Sequence, residues 1–130
     1  MTPTQHPDTT AALSLIRAYA DPVQLKAWAA DLRANADNQG YGSYVSTKPG
    51  TDEQCWCALG RLKAFTGVRV CDNDADWLRL LGAIELPDPP SPDVIFWGIA
   101  KLNDGDQAAG RPPASFNEIA DLLEGDHTNE

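Results

Sequence analysis

Hydrophobic positions recur at three- and four-residue spacing through most of the chain, which predicts a succession of short amphipathic helices. Leu13, Ile16 and Tyr19 or Ala20 mark the inner side of the first, with Thr9 or Thr10 as its cap. Asp21-Pro22 starts a second, because Asp accepts from the new helix and Pro gives up no needed N–H in the first turn. Val23, Leu25, Trp28, Ala29 and Leu32 supply its inner face. In the stretch 55–66, Cys57 or Ala58 is followed by Leu59, Leu62 and Phe65, which predicts a central helix ended by Gly67 in the left-handed conformation. Trp77 to Leu81 form a short helix stopped at Gly82. Ile95, Phe96, Ile99 and Leu102 stripe another, ending at Asn103-Asp104-Gly105. Ser115-Phe116-Asn117-Glu118 matches a capping box and opens a last helix with Ile119, Leu122 and Leu123 inside.

Between these runs lie turn-forming stretches at 35–42, 48–50, 86–90 and 105–113. Residues 43–46 and 68–70 carry short β-prone runs. The pattern predicts a mainly α fold, an irregular orthogonal bundle of five or six short helices with at most a minor two-stranded β element. A mobile end over 1–8 precedes one domain over 9–124, and an acidic tail occupies 125–130. The expected core is Leu13, Ile16, Leu25, Trp28, Leu32, Leu59, Leu62, Phe65, Leu78, Leu81, Ile95, Ile99, Leu102, Phe116, Ile119 and Leu122.

A length of 130 residues suits one such core without metals or disulfides. Charge changes the picture more. Nineteen acidic residues against ten basic give a formal net charge of −9, and the acids crowd into 72–76 and 104–130. The basic residues are scattered, which argues against a direct grip on nucleic-acid phosphates. Such acidity serves solubility, or it forms a face for a basic, nucleic-acid-binding protein partner. On the last helix Glu118, Asp121 and Glu124 are expected to share the outer side, with Asp72, Asp74 and Asp76 as a second cluster for the same partner. The chain has no apolar run of about 18 residues. It also lacks a secretory signal pattern at Met1 to His6. A cytoplasmic protein without membrane attachment is expected.

Candidate chemistry is sparse. Asp72, Asp74 and Asp76 imitate the opening of a calcium loop, but Trp77 stands where Gly is needed and Ala83 where Glu is needed. Cys55, Cys57 and Cys71 lack a fourth zinc ligand, since His6 and His127 fall in the tails. Neither a metal nor a cofactor is expected. Cys57, at the first turn of a helix, is the one thiol whose pKa the helix dipole would lower, yet it has no histidine beside it to act as base. The competing reading makes it a small buried hydrophobe.

Trp28, Leu32-Arg33, Gln39-Gly40, Cys57-Ala58-Leu59-Gly60, Leu102-Asn103-Asp104 and Ser115-Phe116 through Glu124 occur in an order that resembles a family of small, uncharacterised proteins of bacteria and tailed phages. The resemblance spans about residues 25 to 124 and implies a compact helical domain with an accessory role in a phage or prophage. The family's more common C-C-L-G form has Ala58 here in place of the second cysteine. Two functions follow as expectations. One is an accessory protein that binds, and inhibits, a host or defence protein through its acidic surface. The alternative is a small-ligand domain or enzyme with a pocket beside Cys57, Asn103 and Asp104. Two geometric readings of the turn stand side by side: Asn103 or Asp104 accepts hydrogen bonds from the free N–H groups that start the Cys57 helix, or the pair only terminates its own helix before Gly105.

Overall fold

The structure, a computed structural model, describes residues 7–41, 44–47, 50–67, 74–84, 93–105, 110 and 112–125. Among them are six α-helices and a two-stranded antiparallel sheet, so the fold is mainly α with a minor β element. In chain order these are α1 (Pro7–Tyr19), α2 (Pro22–Ala34), β1 (Val45–Thr47), β2 (Gln54–Trp56), α3 (Ala58–Thr66), α4 (Asp74–Leu80), α5 (Val94–Asp104) and α6 (Phe116–Glu124), with one 3-10 turn at Ala36–Asn38. No helix among the described residues is long and apolar enough to cross a membrane.

Two helix pairs frame the molecule: α1 lies along α5, and α2 along α6. The short α3 touches α2, α4, α5 and β2, which makes it the central element despite its nine residues. Its apolar stripe explains this, because Ala58, Leu59 and Leu62 are all buried in one contiguous core with Trp28, Leu32, Leu78, Ile99, Leu102 and Phe116. Most of the expected core positions are buried. Leu25, Phe65 and Leu122 sit at the margin, partly buried against the cluster.

Local chemistry sets the element ends. The Asp21 carboxylate accepts from the Gln24 N–H at 3.3 Å with Pro22 in the first turn of α2. Ser115 and Glu118 form the reciprocal capping box of α6. Gly67 ends α3 with φ +79°, left-handed as expected.

Four expectations need correction. Thr9 lies inside α1 rather than at its cap; it is buried and its hydroxyl donates to the Gly98 carbonyl at 3.4 Å. Val23 points outward, 74% exposed, because the inner face of α2 begins at Leu25. Cys55 and Trp56 belong to a strand, and the helix starts only at Ala58. Burial alternates from exposed Gln54 through buried Cys55 and part-exposed Trp56 to buried Cys57, the period of a strand. The partner of the first strand is therefore β2, with Val45 opposite Trp56, Ser46 opposite Cys55 and Thr47 opposite Gln54. The stretch 68–70 lies outside the described residues.

Candidate functional site

The junction where β2 turns into α3 gathers most of the residues that the sequence motifs singled out. Cys57 is the N-cap of α3, with its Sγ accepting from the Gly60 N–H at 3.3 Å and its own N–H donating to the Tyr44 carbonyl at 3.3 Å. The next free N–H of the helix, that of Ala58, donates to Asn103 Oδ1 at 3.1 Å. Asn103 at the end of α5 thus bonds to the start of α3, the first of the two readings of this turn.

Asn103 is 0% exposed and makes as many hydrogen bonds as its amide usually can. Its Oδ1 also accepts from Gln39 Nε2 at 3.1 Å, and its Nδ2 donates to the Gly40 carbonyl at 2.9 Å and to Asp104 Oδ1 at 2.8 Å. Gln39 carries the network onward. Its Nε2 donates to the Ala114 carbonyl at 2.8 Å, and its Oε1 accepts from the Phe116 N–H, in the first turn of α6, at 2.9 Å. The Gly40 N–H reaches the Trp56 carbonyl at 2.7 Å, and Trp28 Nε1 donates to the Ala58 carbonyl at 3.1 Å. Two side-chain amides therefore join the 39–40 loop, the start of α3, the end of α5 and the start of α6.

Gly60 completes the seal. A Cβ at this position would lie 1.9 Å from the Tyr44 carbonyl oxygen, so only glycine lets the β1 approach pass over α3.

Asn103 thus reaches both the start of α3 capped by Cys57 and Asp104; among these three, Cys57 and Asn103 are buried and Asp104 is exposed. Cys57 is buried, and burial pushes its thiol pKa up from the ordinary value. Hydrogen bonds from the Gly60 and Leu59 backbone pull the other way, and the nearby Asp104 charge adds to the rise. Of the two readings of Cys57, this favours the small buried hydrophobe over the activated thiolate. The helix end is present, but loss of water outweighs its field. Cys55 is also buried and free, 3.1 Å from the Ser46 hydroxyl. Among the described residues, no group of three or more His, Cys, Asp or Glu side chains is placed to hold a metal ion. Cys71 lies outside the described residues.

The expected partner-binding acids divide. Asp74 is fully buried, so it is unavailable to a partner. Its carboxylate accepts from the Val94 and Ile95 N–H groups at 3.1 and 2.9 Å and caps α5 from α4, since the Asp93 side chain makes no cap bond. Asp76 pairs with Arg79 at 3.0 Å. On α6, Arg33 reaches across from α2 to Asp121 at 2.6 Å and Glu124 at 2.8 Å. The Glu124 bond, then the Asp121 bond, raises the guanidinium pKa further above its already high value. Glu118 and Asp121 remain exposed, while Glu124 is largely covered. Asp72 lies outside the described residues.

Sequence reasoning missed three contributors. Gln39 was visible only as part of a turn, although a Gln-Gly pair in the ordered motif set was its signal. The role of Asp74 depends on a helix about 20 residues further on, which no local pattern reveals. Tyr44, Trp56 and Lys63 frame a groove that only the β1–β2 pairing creates. No protein-family model matches the chain, and no curated protein and no solved structure matches it.

Proposed function

We propose that this chain is a phage or prophage accessory protein that acts by binding another protein, inhibiting a host or defence factor through its acidic surface. The observation that carries this reading is the burial of Cys57 and Asn103 in the motif junction. Asn103 and Gln39 are bonded to each other and to backbone groups of Gly40, Ala58, Ala114 and Phe116, and the Cys57 thiol is buried, with its pKa pushed up. The residues that looked most like a reaction centre are thereby explained as architecture, and the charged exterior is left to carry function. The ordered resemblance to small phage and bacterial proteins supports the accessory role.

A net charge of −9 favours a basic partner, such as a nucleic-acid-binding protein, by speeding encounter. Glu118 and Asp121 are the exposed acids of α6 suited to this role. The pocket alternative has less support, because Cys57 and Asn103 are buried and only Asp104 of its three residues is exposed.

The test is capture of a partner from the native host followed by association rates across a salt series. Glu118→Gln and Asp121→Asn should be used rather than charge reversals, since Gln preserves the capping box and a cation at 121 would repel Arg33. The expected result is an association rate that falls with added salt and falls again in the double variant. A partner bound at a rate indifferent to both would remove the acidic face from function.

A further inference from the structure

Next to the junction, the β1–β2 hairpin leaves a groove over α3 of about 480 Å³ lined by Tyr44, Val45, Trp56, Gly60, Lys63 and Ala64, with Gly67 also lining it. This volume falls within the range of small-molecule sites, about 300–1,000 Å³. Its position is fixed by the Gly60–Tyr44 contact, which holds the hairpin down on the helix.

Two cations stand over the two aromatic rings of this groove. The Arg61 guanidinium lies 4.6 Å from the Trp56 ring centroid, and the Lys63 ammonium 4.0 Å from that of Tyr44. Their circumstances differ. Arg61 is held by Asp31 through two hydrogen bonds of 2.7 and 2.8 Å, so its charge is matched within the protein. Lys63 has no carboxylate partner among the described residues; its contact is the Tyr44 ring face. A ring face attracts an ammonium without neutralising it, which leaves its N–H donors for an anion. In a chain with nearly twice as many acids as bases, an unmatched cation inside an aromatic groove is the local exception.

We propose that this groove binds a small planar aromatic carboxylate, whose ring lies along the wall formed by Trp56, Val45 and Ala64 and whose carboxylate takes the Lys63 ammonium, the cation already resting on the Tyr44 ring. The site shares no residue with the acidic surface of α6, so it stands or falls independently of the protein-binding role. Ring packing supplies affinity, and the charge-assisted hydrogen bond from Lys63 supplies selection for an anion. At physiological salt the acidic surface is screened over about 8 Å, so the local cation governs a ligand seated in the groove.

The experiment is a titration of the labelled full chain followed by amide and indole NMR, with indole-3-acetate as probe and indole-3-acetamide and tryptamine as controls. Trp56→Phe assigns the Trp56 indole signal. Saturable shifts are expected at the Trp56 indole and at the amides of Ala64 and Gly67, with both controls binding about fivefold more weakly or worse, equivalent to one ion pair of about 1 kcal/mol. Lys63→Gln should lose that preference for the carboxylate, and Lys63→Arg should restore it while the rest of the spectrum stays native. Equal binding of the three probes, no saturable shift, shifts centred on the exposed Trp97 instead, or a Lys63→Gln variant that still prefers the carboxylate would each overturn the proposal.

Discussion

Asn103→Ala would strip the Ala58 N–H and the Gly40 carbonyl of their shared partner in a buried site. Each stranded buried group costs about 1–3 kcal/mol, so a loss of about 3 kcal/mol or more is expected in urea denaturation. Asn103→Asp should be nearly as harmful, because it keeps the acceptor but turns the donor that serves Gly40 and Asp104 into a second oxygen. An Asn103→Ala protein as stable as the parent would mean that water takes over the junction. The Asn-Asp pair was legible in the sequence as a helix end; its long-range use was one of two readings, open because helix starts leave free N–H groups. Which of the two side chains would serve was settled by burial, which favours a neutral amide over a carboxylate.

Cys57 follows the second of its two sequence readings, the buried hydrophobe. The position at a helix start was readable, but the local pattern gave no measure of how far α5, Gly40 and Tyr44 would bury it. Its thiol should resist iodoacetamide at neutral pH in the folded protein and react on denaturation. The raised pKa also fixes a sign. The unfolded thiol loses its proton first as pH climbs, so the unfolded state binds fewer protons there and stability falls through and above the ordinary thiol range. Below that range the contribution is fully present. Comparing the pH dependence of melting for the parent and Cys57→Ala isolates it: the parent should lose more stability on the alkaline side. Parallel curves, or rapid native alkylation, would show an open thiol.

At the scale of elements, α3 is held by what it lacks. Gly60→Ala would drive a methyl group into the Tyr44 backbone, and a carbonyl cannot rotate away as a side-chain tip can. Overpacking of this kind typically costs about 1–3 kcal/mol, and here a value at or above the upper end is expected from thermal melts, with loss of native hairpin signals. Gly67, by contrast, has open space around it and is needed only for its left-handed φ. The helices were legible because their apolar stripes are long enough to show a 3.6-residue period, and because Asp21, Gly67 and Ser115 carry recognisable end chemistry. The strand at Gln54–Trp56 was not, since three residues hold barely one and a half alternations and the helical stripe beside them absorbs them. Likewise Val23 fits an apolar face by composition, and its exposure follows only from where α6 lies.

At the scale of the whole molecule, several acids among the described residues are engaged in separate tasks, while Glu118 and Asp121 stay exposed on α6. Asp74 caps α5, Asp31 holds Arg61, and Asp121 with Glu124 holds Arg33. The clustering of acids along the chain was plain from the sequence; their division among these tasks depends on which helix faces which. Arg33 and Asp121 are substantially exposed, so Arg33→Ala should cost no more than about 1 kcal/mol by thermal melts despite its two partners. A larger loss would indicate that the α2–α6 seam depends on this pairing.

The amide junction also has a temporal consequence. Its members are drawn from residues 39, 40, 58, 103, 114 and 116, so no single helix and its neighbouring turn contain it. Opening any one of these segments leaves a polar group stranded on another, which makes partial opening nearly as costly as opening them all. In native-state hydrogen exchange, the amides of Gly40, Ala58 and Phe116 should therefore leave as one kinetic group, with a protection free energy close to that of global unfolding. The helical ends outside the junction, such as Gly125, should exchange by smaller and independent fluctuations. During refolding the same three amides should gain protection together and late, because the chain must first bring residues some 75 positions apart into register.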